Sequence, residues 1–333
     1  MSTIIAEAKV GMLGHTGSGK TCFMYGMYNA FSDFSMRLPF TLYTQNARDD
    51  AIFRTLWEKI EDEGWNPPGT DFPMTYLLEL RASQKPLINI SWIDYRGAAL
   101  WEDATPEEDE SLRTQLVEAD CLFLCVESET LESRKAKDRN KIGRLGTLSR
   151  DLPPVPLVIL VSKADLFQSV SDDLGAGTTR PQAFGPGPAP LPAIDPAIEE
   201  IVRARFHPWF EQNRQIMISP ASIKPDNRYF DYLPAPFAYT AYKIVQAKCA
   251  EKTELLKLDD SRLQKRTKGV KAYWYYLGTK TTREIREKIE QERETLEMLK
   301  KRMSSLENYF SQASIYQGHE RVTLAGGRWQ APR

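Results

Sequence analysis

Hydrophobic and polar positions alternate along the chain in blocks that predict strands and helices in turn. Lys9-Val10-Gly11-Met12-Leu13-Gly14 reads as a buried strand entering a Gly-rich turn, and a helix is expected from about Gly19 to Phe31. Ile52, Phe53, Leu56 and Ile60 recur at helical spacing within 47–63. Trp65 to Thr70 then breaks the pattern with Pro67-Pro68-Gly69. Tyr76–Leu80 and Leu87–Ile93 read as two strands, and Lys85-Pro86 suits a hairpin between them. Cys121–Val126, Pro156–Ser162 and Gln215–Ser219 are short apolar runs of the kind buried on both faces. Helices are expected at about Leu131–Ser149, Pro196–Asn213 and Phe237–Ala250.

This succession predicts an α/β fold of three layers, a mostly parallel sheet flanked by helices on both faces. No internal repeat is visible. Residues 1–250 form the expected core, with a helical insertion at about 47–63 and a Pro/Gly-rich stretch at about 175–196 read as a flexible surface insertion. Residues 251–310 are expected to be helical beyond that core. From Ile285 to Phe310 the apolar positions Ile285, Ile289, Leu296, Leu299, Met303, Leu306 and Phe310 have coiled-coil character over 284–310, spanning about 39 Å. Self-association and packing on the core are equally open readings. The tail from Gln317, with Gly326-Gly327, is expected to be disordered or partner-bound.

Composition narrows the classes little. The 333 residues are 41% hydrophobic with a net charge of −1, so nothing global favours nucleic acid or anionic lipid. A local patch does exist. Seven Lys/Arg and no acid fall between Ser261 and Arg283, around Tyr273-Trp274-Tyr275-Tyr276. Such a stretch can contact phosphate backbones, anionic membrane or an acidic partner, but aromatics packed on the core beneath a solvated helix are the favoured reading. Cys121 and Cys125 read as buried thiols. No metal-type Cys spacing, signal peptide or membrane span is seen, and a cytoplasmic location is expected.

The chemistry concentrates at Gly14-His15-Thr16-Gly17-Ser18-Gly19-Lys20-Thr21, which fits GxxxxGK[ST] between a predicted strand and a predicted helix. Glycines turn backbone N–H groups toward phosphate oxygens, and the helix N-terminus favours negative charge. Lys20 is expected to reach the β- and γ-phosphates, and Thr21 to place a hydroxyl on Mg²⁺. His15 is read as solvent-facing rather than catalytic.

Three further segments follow in order, each at a strand end. Asp94-Tyr95-Arg96-Gly97 fits DxxG, Ser162-Lys163-Ala164-Asp165 approximates [NT]KxD, and Ser219-Pro220-Ala221-Ser222 looks like a short SA-type loop. With these motifs, residues 8–248 resemble a P-loop GTPase of the Ras-like translation-factor (TRAFAC) class. The resemblance implies GTP/GDP and Mg²⁺ as ligands. The implied nucleotide contacts run over Gly14 to Cys22 and include Ser162, Lys163, Asp165, Ser219 and Ala221. Asp94, Thr21 and a switch threonine would hold the metal. The Gly97 N–H would sense the γ-phosphate, Asp165 would accept from guanine N1–H and the 2-amino group, Lys163 would stack over the base, and the Ala221 N–H would meet O6. Ser162 departs from the usual Asn or Thr. An ordinary strand-to-helix turn with a capping Asp is the competing reading of this segment alone.

Thr70, six residues before Tyr76, is the expected switch threonine, with Thr75 and Thr41 as runners-up. The extra helix at 47–63 and the Pro-Pro-x-Thr-like switch resemble the bacterial double-GTPase domains. Lys20, Thr70 and Gly97 are then the catalytic set. Ala98 stands where many GTPases place a water-orienting Gln, which implies slow turnover unless Arg96, Glu102, Asp103 or a partner substitutes. The expectation is a GTPase switch read by a protein effector or activator, with a homodimer through the switch face or the C-terminal helix as one route. A GTP-binding scaffold without hydrolysis is the alternative.

Overall fold

The computed structural model describes residues 6–32, 38–64, 67, 73–82, 85–95, 106–148, 151–167, 188–224, 227–267 and 280–331. Ten strands form one mixed sheet. They are β1 Ala6–Gly14, β2 Thr41–Thr44, β3 Met74–Ala82, β4 Lys85–Asp94, β5 Cys121–Glu127, β6 Leu157–Ser162, β7 Gln215–Pro220, β8 Ser314–Gln317, β9 Glu320–Ala325 and β10 Arg328–Gln330. Their order is β10-β9-β8-β7-β6-β5-β1-β4-β3-β2. The five central strands β7, β6, β5, β1 and β4 are parallel, and every pairing outside them is antiparallel. Every residue of β6 and β7, and all of β5 but Glu127, is buried, as uninterrupted apolar runs require when helices cover both faces.

Helices α1 (Lys20–Ser32), α2 (Ala47–Glu63) and α8 (Ala235–Thr267) cover one face. Phe237 of α8 meets Phe31 of α1 edge-on at 5.1 Å and stacks on Trp92 of β4 at 5.7 Å. Phe53 of α2 packs edge-on against Tyr76 of β3 at 5.1 Å. Helix α2 occupies the segment its periodicity predicts for local reasons. Asn46 accepts from the Arg48 N–H at its start, Asp49 and Asp50 complement the dipole, and Gly64 ends it with φ 64°. The opposite face carries α3 (Pro106–Val117), α4 (Ser128–Glu132), α5 (Ala136–Thr147), α6 (Pro196–Arg205) and α7 (His207–Phe210). There Leu116 of α3 lies over Gly11 of β1, where a Cβ would approach it to 3.2 Å, and the Trp209 indole N–H donates to Leu145 O at 3.0 Å.

Several expectations change. The single helix expected over 131–149 is two, α4 and α5, and α8 runs on to Thr267. The tail is not loose: β8 pairs with β7 and brings β9 and β10 with it, so the sheet crosses the boundary expected near residue 250. Trp329 of β10 packs on Tyr239 and Tyr242 of α8 and on Phe310. Helix α9 (Lys280–Ser304) and the short α10 (Leu306–Tyr309) lead into these strands. Ile289, Leu296, Leu299, Met303, Leu306 and Phe310 are buried within this chain, which is the packing alternative for the coiled-coil-like seam. The end of the Pro/Gly-rich insertion is also anchored, since Leu191 is buried and its N–H donates to Tyr309 O at 3.0 Å. Residues 168–187 and 268–279, including Tyr273–Tyr276, lie outside the described residues. No helix among the described residues is long and apolar enough to cross a membrane.

Candidate functional site

The site lies where parallel strands β1, β4, β5, β6 and β7 end. Strand β1 stops at Gly14, and α1 begins six residues later at Lys20. The intervening turn needs two left-handed residues, supplied by Gly17 (φ 81°) and Gly19 (φ 82°). Gly14 is required for space instead. A Cβ there would lie 2.5 Å from Cys125 O and 2.7 Å from Ser18 Oγ. The Ser18 carbonyl is held from two strands at once, accepting from Cys125 Sγ at 2.9 Å and from Ser162 Oγ at 2.6 Å. The Lys20 ammonium is buried under the loop and donates to Gly14 O at 2.9 Å and His15 O at 3.2 Å.

Beside it, β4 pairs with β1 so that Asp94 stands opposite Met12. Thr21 Oγ1 donates to Asp94 Oδ2 at 3.4 Å. Asp94 is 1% exposed, and burial raises its carboxyl to about 6 despite the opposing Lys20 charge and the Thr21 hydroxyl. Its Oδ1 is buried without a hydrogen-bond partner among the described residues. A cation would satisfy that oxygen, so the residues present fit a magnesium site. Among the described residues no group of three or more His, Cys, Asp or Glu is arranged for a metal. The donor set here is one carboxylate and one hydroxyl, as for a metal that keeps waters and ligand phosphates. Thr70, Gly97, Arg96, Ala98, Glu102 and Asp103 lie outside the described residues, whereas Thr75 is exposed on β3 and Thr41 half-buried at the start of β2.

The third cluster forms after β6 and β7. Lys163 adopts a left-handed conformation (φ 52°, ψ 38°), and its ammonium pairs with Glu127 Oε1 at 2.7 Å. Asp165 accepts from Ser222 Oγ at 3.0 Å and pairs through Oδ2 with Lys224 Nζ at 2.7 Å. The Ala221 N–H donates to Val161 O at 2.8 Å, and Ser219 is fully buried. In this arrangement Ala221 has no N–H to offer a base. Ser222 and Lys224 are the loop residues that meet Asp165, three and five positions beyond Ser219. Ser162 itself approaches the Gly-rich turn before α1, where a Cβ on Gly19 would meet its Cβ at 3.3 Å.

His15 is not solvent-facing. It is 3% exposed, with Nδ1 2.9 Å from Thr16 O. Burial lowers its pKa, and Lys141 and Lys20 push the same way, while the Thr16 carbonyl and Glu127 oppose them. Cys22, just inside α1, is the one cysteine of four that is not buried.

Compared with known proteins, the chain matches no family model and no curated sequence.

Proposed function

We propose that the chain binds guanine nucleotides with Mg²⁺ and acts as a slow GTPase switch. One relationship carries the reading. Lys20 and Thr21, beside the buried Asp94, share a sheet edge with the Lys163–Asp165 turn, and Ser162 joins the two clusters through Ser18 O. A glycine turn opening a helix, with a buried lysine beneath it, suits phosphates. Bound Mg²⁺ would neutralise phosphate charge, held by Thr21 and Asp94. A carboxylate half-enclosed beside an aliphatic lysine stem suits a base carrying two adjacent donors, which guanine has and adenine lacks. A sheet edge at the carboxyl ends of parallel strands is where ligands of open α/β sheets bind.

Asp165, 10% exposed at its side chain, would reject adenine by leaving a desolvated carboxylate without its donors. The test is equilibrium binding and turnover of GTP, GDP and ATP by the full chain, with Lys20→Ala and Asp165→Asn as controls. Guanine preference of ~10³ or more, lost with Asp165→Asn, is expected. ATP preference, or binding indifferent to Lys20, defeats the reading. Ala98 favours a second reading, a GTP-binding scaffold without hydrolysis. Tight binding with no turnover at any protein concentration selects it.

A further inference from the structure

Lys163 is one of two non-glycine residues with positive φ among the described residues. The other, Asn213, belongs to a type that tolerates this region, whereas a lysine pays for it in steric crowding of its Cβ. Something must hold Lys163 there, and the junction of β5 with α4 does so at both ends of the residue. Strands β5 and β6 end side by side with Glu127 opposite Ser162, which brings Ser128 and Lys163, the first residues beyond each strand, together. The Ser128 hydroxyl, fully buried, donates to Lys163 O at 2.7 Å. Glu127 Oε1 holds the Lys163 ammonium at 2.7 Å, and Thr130 Oγ1 steadies the other carboxylate oxygen at 3.4 Å. With backbone and head group both tied, the four-carbon stem is fixed while the side chain stays 45% exposed.

We infer that Glu127 and Ser128 are positioning residues that pre-order Lys163 as a fixed apolar platform for the face of a purine base. The inference rests on the guanine-nucleotide reading and extends it to residues that touch no base. A free lysine stem loses much rotamer freedom when a base settles on it, whereas a stem tied beforehand has already lost it. Glu127 also has its charge masked by the pairing with Lys163. Its carboxylate lies beside the phosphate loop, where a Cβ on Gly17 would come within 3.8 Å of Oε1, and the lysine ammonium offsets a charge that would otherwise repel phosphates.

The test is stopped-flow dissociation of a fluorescent GDP from the full-length chain. Glu127→Gln and Ser128→Ala are each expected to speed dissociation about 3- to 10-fold, as for loss of one charge-assisted or buried hydrogen bond. In a Lys163→Met background, where Glu127 is left without its lysine beside the loop, Glu127→Gln should no longer speed dissociation. The ratio of GDP to IDP affinity should stay unchanged, because the 2-amino group is read by Asp165 and not by the platform. Thermal melts of each variant separate a folding defect from a positioning one, and Ser128→Thr, which keeps the hydroxyl, should restore the slow rate. Dissociation that ignores both substitutions overturns the inference, as does a Glu127→Gln effect that persists in Lys163→Met. A parent chain that binds no guanine nucleotide overturns the guanine reading and this inference together.

Discussion

The Ser162 hydroxyl donates a 2.6 Å hydrogen bond to the carbonyl of Ser18, joining the end of β6 to the Gly-rich turn 144 residues earlier in the chain. An asparagine or threonine is usual in the motif that Ser162 resembles, and serine is the shortest side chain that keeps a hydroxyl. The shortness is matched by proximity, for a Cβ on Gly19 would already touch Ser162. The departure in sequence therefore coincides with a closer approach of strand and loop. Ser162→Ala should cost about 1 kcal/mol of stability in urea unfolding, the net worth of one buried hydrogen bond, because Cys125 still satisfies Ser18 O. Nucleotide affinity should fall ~5-fold with it, in proportion to that energy. Unchanged affinity would separate the loop from the β6 turn.

Cys22 offers a chemical probe of the same site. Cys121, Cys125 and Cys249 are buried, and Cys22 alone is partly exposed, one residue beyond Thr21. Burial pushes its thiol up, with Lys163 opposing, so alkylation should be slower than for a free cysteine. Native protein treated with iodoacetamide should gain one adduct by mass spectrometry, mapped to Cys22. GDP with Mg²⁺ should slow it at least 10-fold, as saturating occupancy of a shared site requires. Equal labelling with and without nucleotide would remove Cys22 from the site.

What the sequence made legible follows from how local each signal is. The apolar runs of β5 and β6 and the Gly-rich turn before α1 carry their own explanation, and α2 has both caps in its sequence. Helix α3 escaped notice because, among its residues whose burial is described, only Leu112 and Leu116 are buried in a Glu-rich sequence. Strands β8 to β10 are short and Gly-interrupted, and what makes them strands is the edge of β7, a partner about a hundred residues away. Ser219 and Ser222 look alike in sequence. Which of them meets Asp165 depends on where β7 ends, a register that no pattern in the loop encodes. His15 is buried by the tertiary fold although it sits in a Gly-rich turn, so its own segment gave no sign of it.

The edge formed by the C-terminal strands predicts that the tail stabilises the whole sheet. Trp329 bridges Tyr239, Tyr242 and Phe310, and the turn beside it is gripped by Glu307, which accepts from the Gly326 and Gly327 N–H groups at 3.2 and 2.6 Å. Trp329 is half-buried, so Trp329→Ala should cost about 2 kcal/mol in urea unfolding, below the range for a fully buried tryptophan. A loss under about 0.5 kcal/mol, the size of an ordinary surface change, would show that the tail is dispensable.

Acid should weaken the nucleotide-free protein through His15. Its folded pKa lies below the ordinary 6.5, so the unfolded chain binds the proton more readily. The associated stability is fully present above pH 6.5 and is lost as pH falls below it toward the folded value. Lys20 and Lys141 reinforce this direction, and Glu127 and the Thr16 carbonyl oppose it. Urea midpoints of the parent at pH 7.5, 6.5 and 5.5 should decline more steeply than those of His15→Gln. Parallel declines would mean that the imidazole is not what acid acts on.

Two glycines at the turn between β1 and α1 should fail in different ways when replaced by alanine. At Gly17 the added Cβ meets nothing nearer than 3.8 Å, so the cost is conformational alone, about 1–2 kcal/mol for a left-handed alanine. Gly17→Ala should fold and bind nucleotide more weakly. At Gly14 the Cβ would lie 2.5 Å from the backbone oxygen of Cys125, and a backbone atom in a central strand cannot turn aside as a side chain can. Gly14→Ala must therefore part β1 from β5 at the loop. It should lose nucleotide binding outright and cost more than 2 kcal/mol of stability, as overpacking of a tight core does. Isothermal titration with GDP, alongside urea unfolding of both variants, distinguishes them. A Gly14→Ala variant that binds like the parent would mean that the close approach of Gly14 to Cys125 is not what shapes the loop.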